Sequence, residues 1–121
     1  MRRKELHYAT RCFYCPEPDI FCLEAEHPVT RELDADFKRV VCCNCHRKLE
    51  GKRDLTELTK NGQRHVHESE GEAFRRYLLL IAEDQETIAD SALTTPPELI
   101  AKALQETAAS LRRKLQSVTI V

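Results

Sequence analysis

Val40-Val41-Cys42-Cys43-Asn44-Cys45-His46-Arg47-Lys48-Leu49-Glu50 reads as a strand that runs into a cysteine knuckle and then into the opening of a helix. The β-branched pair Val40 and Val41 suits a pleated, half-buried surface. His46 to Glu50 suits a helical turn, which Gly51 is expected to stop. A second Cys-x-x-Cys pair, Cys12-Phe13-Tyr14-Cys15, lies upstream with 26 residues between the two pairs. Four thiolates delivered by two knuckles form a closed tetrahedral cage, the donor set that structural zinc prefers and one that leaves no position for water. Cys42 rather than Cys43 closes the second knuckle, because it keeps the two-residue spacer to Cys45. Cys22 and Cys43 are then expected to be small buried apolar residues.

Working outward, Ile20-Phe21-Cys22-Leu23-Glu24-Ala25 is a candidate first strand, ended by His27-Pro28 because proline cannot donate to a sheet ladder. Val29 to Phe37 reads as a polar loop, and Lys38 to Cys42 as the second strand. Residues 51–69 are polar and weakly patterned, a connecting segment with room for a short helix at 54–60. Beyond it the period changes. Phe74, Leu78, Ile81, Ile88 and Ala92 recur at helical spacing between Glu72 and Leu93, and Ile100, Leu104, Thr107, Leu111 and Val118 do so further on. Thr95-Pro96-Pro97-Glu98 between them has the form of a capped helix start. The expected fold class is therefore α+β. A small ββα zinc domain at 1–52 is joined by residues 53–69 to an antiparallel helical hairpin at 70–121. The hairpin buttresses the metal module, and a leftover apolar face would serve a homodimer or a partner protein.

Composition narrows the function classes. Of 121 residues, 19 are Lys or Arg and 20 are Asp or Glu, giving a net charge of -1. That balance excludes a surface coated for nucleic acid all over, since such binding needs clustered cations that displace counterions. Residues 1–65 hold 13 of the basic and 11 of the acidic residues, so the cysteine-bearing half is mildly basic and the rest mildly acidic. No stretch approaches the roughly 20 apolar residues of a membrane span, and Met1-Arg2-Arg3-Lys4-Glu5 does not open a signal peptide. A cytoplasmic location follows as an expectation. All six cysteines fall within 12–45, and in a reducing compartment such pairs mean metal more often than disulfide.

Cys12-Phe-Tyr-Cys15, then Leu23-Glu-Ala-Glu-His27-Pro28, then Val40-Val-Cys42-Cys-Asn-Cys45-His46-Arg-Lys-Leu-Glu50 resembles the HNH, or ββα-metal (His-Me finger), endonuclease family of the four-cysteine zinc type. The resemblance covers about residues 10–52. It implies a metal-dependent endonuclease that hydrolyses DNA phosphodiester bonds with weak sequence preference. His27 would be the general base, taking a proton from the attacking water. Glu26 and His46, with Glu50, would hold one catalytic divalent ion that neutralises charge on the phosphate and the leaving oxygen. Glu26 stands where the family usually has His, and Glu50 where it often has a second helix His. Two carboxylates tilt that site toward Mg²⁺ or Mn²⁺. The Asn that orients the base is absent between Val29 and Val41, leaving Asp34 or Asp36 to replace it. Arg31, Lys38, Arg39, Arg47 and Lys48, with Lys52 and Arg53, are candidate phosphate contacts. His7, His65 and His67 read as solvated surface residues. The alternatives are a zinc module that binds nucleic acid or a protein without catalysis, and an accessory subunit that docks through its hairpin.

Overall fold

In the computed structural model, which describes residues 11–56 and 68–118 with side chains of the first span through Arg53, β1 (Leu23–Glu26) and β2 (Arg39–Cys42) pair antiparallel. Leu23 lies opposite Cys42 and Glu26 opposite Arg39. β2 passes without a gap into α1 (Cys43–Thr56), so the second knuckle straddles a strand end and the first turn of a helix. α2 (Glu70–Asp90) and α3 (Pro97–Ser117) follow, joined by a short turn. The fold is α+β, with a two-stranded hairpin and helix followed by two longer helices.

Three expectations about the elements need correction. Residues 20–22 form a 3₁₀ turn and not the start of a strand. The Asp19 carboxylate accepts from the Phe21 N–H at 2.9 Å, a local bond that competes with sheet pairing. Gly51 does not stop α1, which runs through it to Thr56 and past the expected boundary at residue 52. Glycine costs a helix interior about 1 kcal/mol against alanine, and burial of Leu49 and Arg53 on either side outweighs that. Thr95 does not cap α3, whose N-cap position is Pro96 with no side-chain bond. Its hydroxyl donates instead to the Phe13 carbonyl at 2.8 Å, inside the first knuckle. α2 begins at Glu70, at the expected start of the hairpin, where Ser69 and Glu72 close a reciprocal capping box.

The core has two centres, and both halves of the chain contribute to each. Cys12, Phe13, Leu23, Val41 and Cys42 from the metal half pack with Ile88 of α2 and Ala103 of α3. Val29 and Phe37 from the loop pack with Tyr77 and Leu80 of α2, with Leu111 of α3 at the edge. Polar links fix the same contact. The Arg39 guanidinium donates to both oxygens of Asp84 at 2.7 and 3.1 Å, with side chains only 3% and 1% exposed. It also donates to the Tyr14 hydroxyl at 3.0 Å and lies 4.8 Å from the Phe13 ring centroid. Burial alone would lower the Arg39 pKa, but the Asp84 carboxylate outweighs it and raises it. Ser110 of α3 shares its hydroxyl with Tyr77 at 2.6 Å and with the Asp34 carboxylate at 2.6 Å. The helices are therefore a buttress held to the metal half by buried apolar and ionic contacts.

Candidate metal centre and its neighbours

The knuckles meet. Sγ atoms of Cys12, Cys15, Cys42 and Cys45 all lie within 4.8 Å of one another, and those of Cys15 and Cys42 are 3.6 Å apart. A tetrahedral zinc with Zn–S bonds of about 2.3 Å needs sulfur pairs roughly 3.8 Å apart, so the donor set fits the ion in kind and in size. Both knuckles also aim backbone N–H groups at sulfur: Tyr14 N–H toward Cys12 Sγ at 3.4 Å, Cys45 N–H toward Cys42 Sγ at 3.5 Å. Such bonds favour thiolate and orient it. Without a cation the four thiols cannot ionise together. Burial pushes the Cys12 and Cys45 thiols up. Burial acts the same way on Cys42 but is outweighed by the Cys45 N–H and the neighbouring thiols, which hold it down. A dication at the centre removes that conflict.

Cys22 and Cys43 take no part in the cage, as expected, but they are not buried: Cys22 is half-buried and Cys43 exposed. The β1–β2 register sends Leu23 to the core beside Cys42, which leaves the flanking pair at the rim.

The residues expected to hold a catalytic ion are divided between two pairings. Glu26 is fully buried and bonded to the Arg53 guanidinium from α1, with its second oxygen unpartnered. His46 lies between two other carboxylates, its Nδ1 2.6 Å from Glu24 and its Nε2 3.2 Å from Glu50. The i,i+4 relation of His46 and Glu50 on α1 thus brings them together, while Glu26 is committed elsewhere. Among the described residues, the four cysteines are the only group of three or more His, Cys, Asp or Glu side chains drawn together tightly enough to hold an ion. Glu24 was not singled out from the sequence. Its signal is strand alternation: Glu24 and Glu26 share one face of β1, so either could meet α1.

His27, just past β1, is half-buried and bonded to the Ala35 backbone. That main-chain contact takes the place expected for Asp34 or Asp36. Asp34 bonds Ser110 and Arg113 instead, and its side chain accepts from the Asp36 N–H. Burial lowers the His27 pKa, and the charges of Arg31 and Lys38 lower it further. The imidazole therefore stays neutral to lower pH than a free histidine does. The loop behind it turns at Thr30, a β-branched residue at φ 70°, which is a strained backbone position. A depressed folded-state pKa means the unfolded chain binds the proton more readily. This contribution to stability is present above pH about 6.5 and is lost as pH falls through the folded value. NMR titration should give His27 a midpoint below 6.5, and His27→Gln should remove that part of the acid sensitivity.

Of the expected phosphate contacts, Arg31, Lys38, Arg47 and Lys48 are exposed. Arg39 is not a surface cation, because Asp84 and the Phe13 ring enclose it. Lys52 is exposed and donates to Thr87 at 3.1 Å. His7, His65 and His67 lie outside the described residues. No helix of the described chain is long and apolar enough to cross a membrane. No family model, no curated protein and no solved structure matches this chain.

Proposed function

We propose that this chain is a zinc-stapled binding module for nucleic-acid backbone, built on a ββα frame and without an assembled hydrolytic centre. The observation that carries this reading is the Glu26–Arg53 bond, which removes the carboxylate a catalytic ion beside His46 would need. Arg31 and Lys38, exposed and close enough to depress the His27 pKa, supply positive charge beside an accessible imidazole. Arg47 and Lys48 add exposed cations on α1. Such groups grip phosphates without reading bases.

A second reading has one specific observation in its favour. His27 is held by the Ala35 backbone and shifted toward its neutral form between two cations, as a general base at a phosphodiester requires. In that reading Glu24, which touches His46, takes the role expected of Glu26 in holding Mg²⁺ or Mn²⁺. The chain would then be a metal-dependent DNA endonuclease.

Two assays on zinc-loaded protein separate these readings. The first measures duplex DNA binding against salt. Neutralising three or four phosphates predicts a slope of log K on log salt of about -3, reduced by about one unit in Arg31→Ala or Lys38→Ala. Absence of salt-dependent binding sinks the module reading. The second is nicking of supercoiled plasmid with added Mg²⁺ or Mn²⁺. Nicking that vanishes in folded His27→Ala and Glu24→Ala establishes the endonuclease. Intact plasmid with every divalent ion excludes it.

A further inference from the structure

Cys22 and Cys43 are the two thiols that the cage does not use. They flank Leu23 and Cys42, which stand opposite each other across β1 and β2 with both side chains buried. Side chains alternate along a strand. One position outward on each chain, Cys22 and Cys43 therefore turn away from the core, the first half-buried and the second exposed. In this antiparallel register they are next in line after Leu23 and Cys42. Ladder partners lie about 4.5–5.5 Å apart at Cα, within the roughly 4.4–6.8 Å that a disulfide spans. The ladder itself stops at Leu23, since the Cys22 N–H turns back to the Asp19 carbonyl at 2.8 Å and Cys43 opens α1. The two thiols nonetheless act on each other. Burial raises the Cys22 pKa, the Asp19 and Glu17 carboxylates add to it, and charge on Cys43 raises it further.

The surroundings set this pair apart from the cage. Cys12 and Cys42 are only 0% and 4% exposed, and a thiolate that ligates an ion has its lone pair engaged there. Cys43 is the exposed thiol of the six and the one a dissolved oxidant meets first. Cys22 stands beside it as a resolving partner, the arrangement that reversible thiol oxidation needs. A bond between them would close a ring of chain through both strands. It would tie the entry of β1 to the first turn of α1, which carries Cys45.

We infer that Cys22 and Cys43 form a reversible redox pair, oxidised to a disulfide by low-molecular-weight disulfides such as glutathione disulfide while the four cage cysteines stay on their metal. The Cys43 thiolate attacks one sulfur of the oxidant and expels a glutathione thiolate, leaving the second glutathione on Cys43. The Cys22 thiolate then attacks Cys43 Sγ and expels that second glutathione. The pair gives up two protons and two electrons, and the oxidant leaves as two glutathione thiols. Excess reduced glutathione runs the same steps backwards.

The test treats the zinc-loaded full chain with glutathione disulfide, then alkylates it, assigns each cysteine by fragment-ion sequencing and measures bound zinc. Before oxidation, alkylation should mark Cys22 and Cys43 and spare the cage. After oxidation both should be protected by a bond within one chain, with zinc retained. Cys22→Ser, still folded by circular dichroism, should instead keep a glutathione on Cys43. Because the ring constrains the opened chain, transfer of zinc to a chelator should be about tenfold slower from the oxidised form. Release of zinc with disulfides among Cys12, Cys15, Cys42 and Cys45 overturns the inference. So does a glutathione that persists on Cys43 of the parent chain, a Cys43 bond between two chains, no reaction at either thiol, or zinc transfer indifferent to the cross-link.

Discussion

Substituting Cys42 by Ser, or stripping the metal with a strong chelator, should unfold the 11–56 half of the molecule and leave a chain without a sharp melting transition. The reason is arithmetic. Structural zinc in small domains contributes roughly 10–16 kcal/mol of apparent binding energy at neutral pH, against a total stability of about 5–15 kcal/mol for an ordinary domain. The 11–56 half has a two-stranded sheet of four-residue strands and one helix, too little to hold itself. Cys12 and Cys42 are also core residues, packed with Phe13, Leu23 and Val41, so loss of the cage opens the first core centre as well. Metal content by mass spectrometry and near-ultraviolet circular dichroism check this together. One bound metal per chain that is lost with native dichroism is expected; native dichroism in metal-free protein would refute it. Cage assembly releases protons from thiols, and burial pushes two of these upward. Metal affinity should therefore fall steeply with decreasing pH.

Asp84→Leu should destabilise the protein by about 3–5 kcal/mol, the second largest effect expected, because it leaves the Arg39 charge buried and unpaired. Urea unfolding of the zinc-loaded protein measures it. The double variant Arg39→Met with Asp84→Leu should recover most of the loss. Replacing a buried ion pair by apolar residues of similar volume is often neutral or better. A single variant as stable as the parent would mean that water reaches Arg39, contrary to its 3% side-chain exposure.

What could be read from the sequence was what depends on short spacing. Each knuckle is a four-residue pattern, and the two meet because β1 and β2 pair with Cys42 opposite Leu23. The helical hairpin was visible in a period of apolar residues that α2 and α3 obey. What escaped depends on partners far along the chain. Arg39 looks like its neighbour Lys38 until Asp84, 45 residues on, claims it. Glu26 sits beside His27 in sequence, yet the choice between Glu24 and Glu26 as the neighbour of His46 is made by the path of α1. That path continues past Gly51 and brings Arg53 onto Glu26. Glycine as a stop is a local preference, and long-range packing overrode it.

The stitching between the α2–α3 turn and the first knuckle has a consequence in time. Thr95 donates to the Phe13 carbonyl, Thr94 to the Tyr14 carbonyl, and Arg11 returns a bond to the Thr94 carbonyl at 3.1 Å. On a translating ribosome, Cys45 emerges fifty residues before Thr95. At about 5–20 residues per second that is an interval of roughly 3–10 s. Through that interval all four cage thiols are in place while the turn that braces their first knuckle has yet to be made. A nascent chain that gathers a metal ion on these four thiols then does so without that brace, so metal exchange should be faster before synthesis passes α2 than after the turn docks.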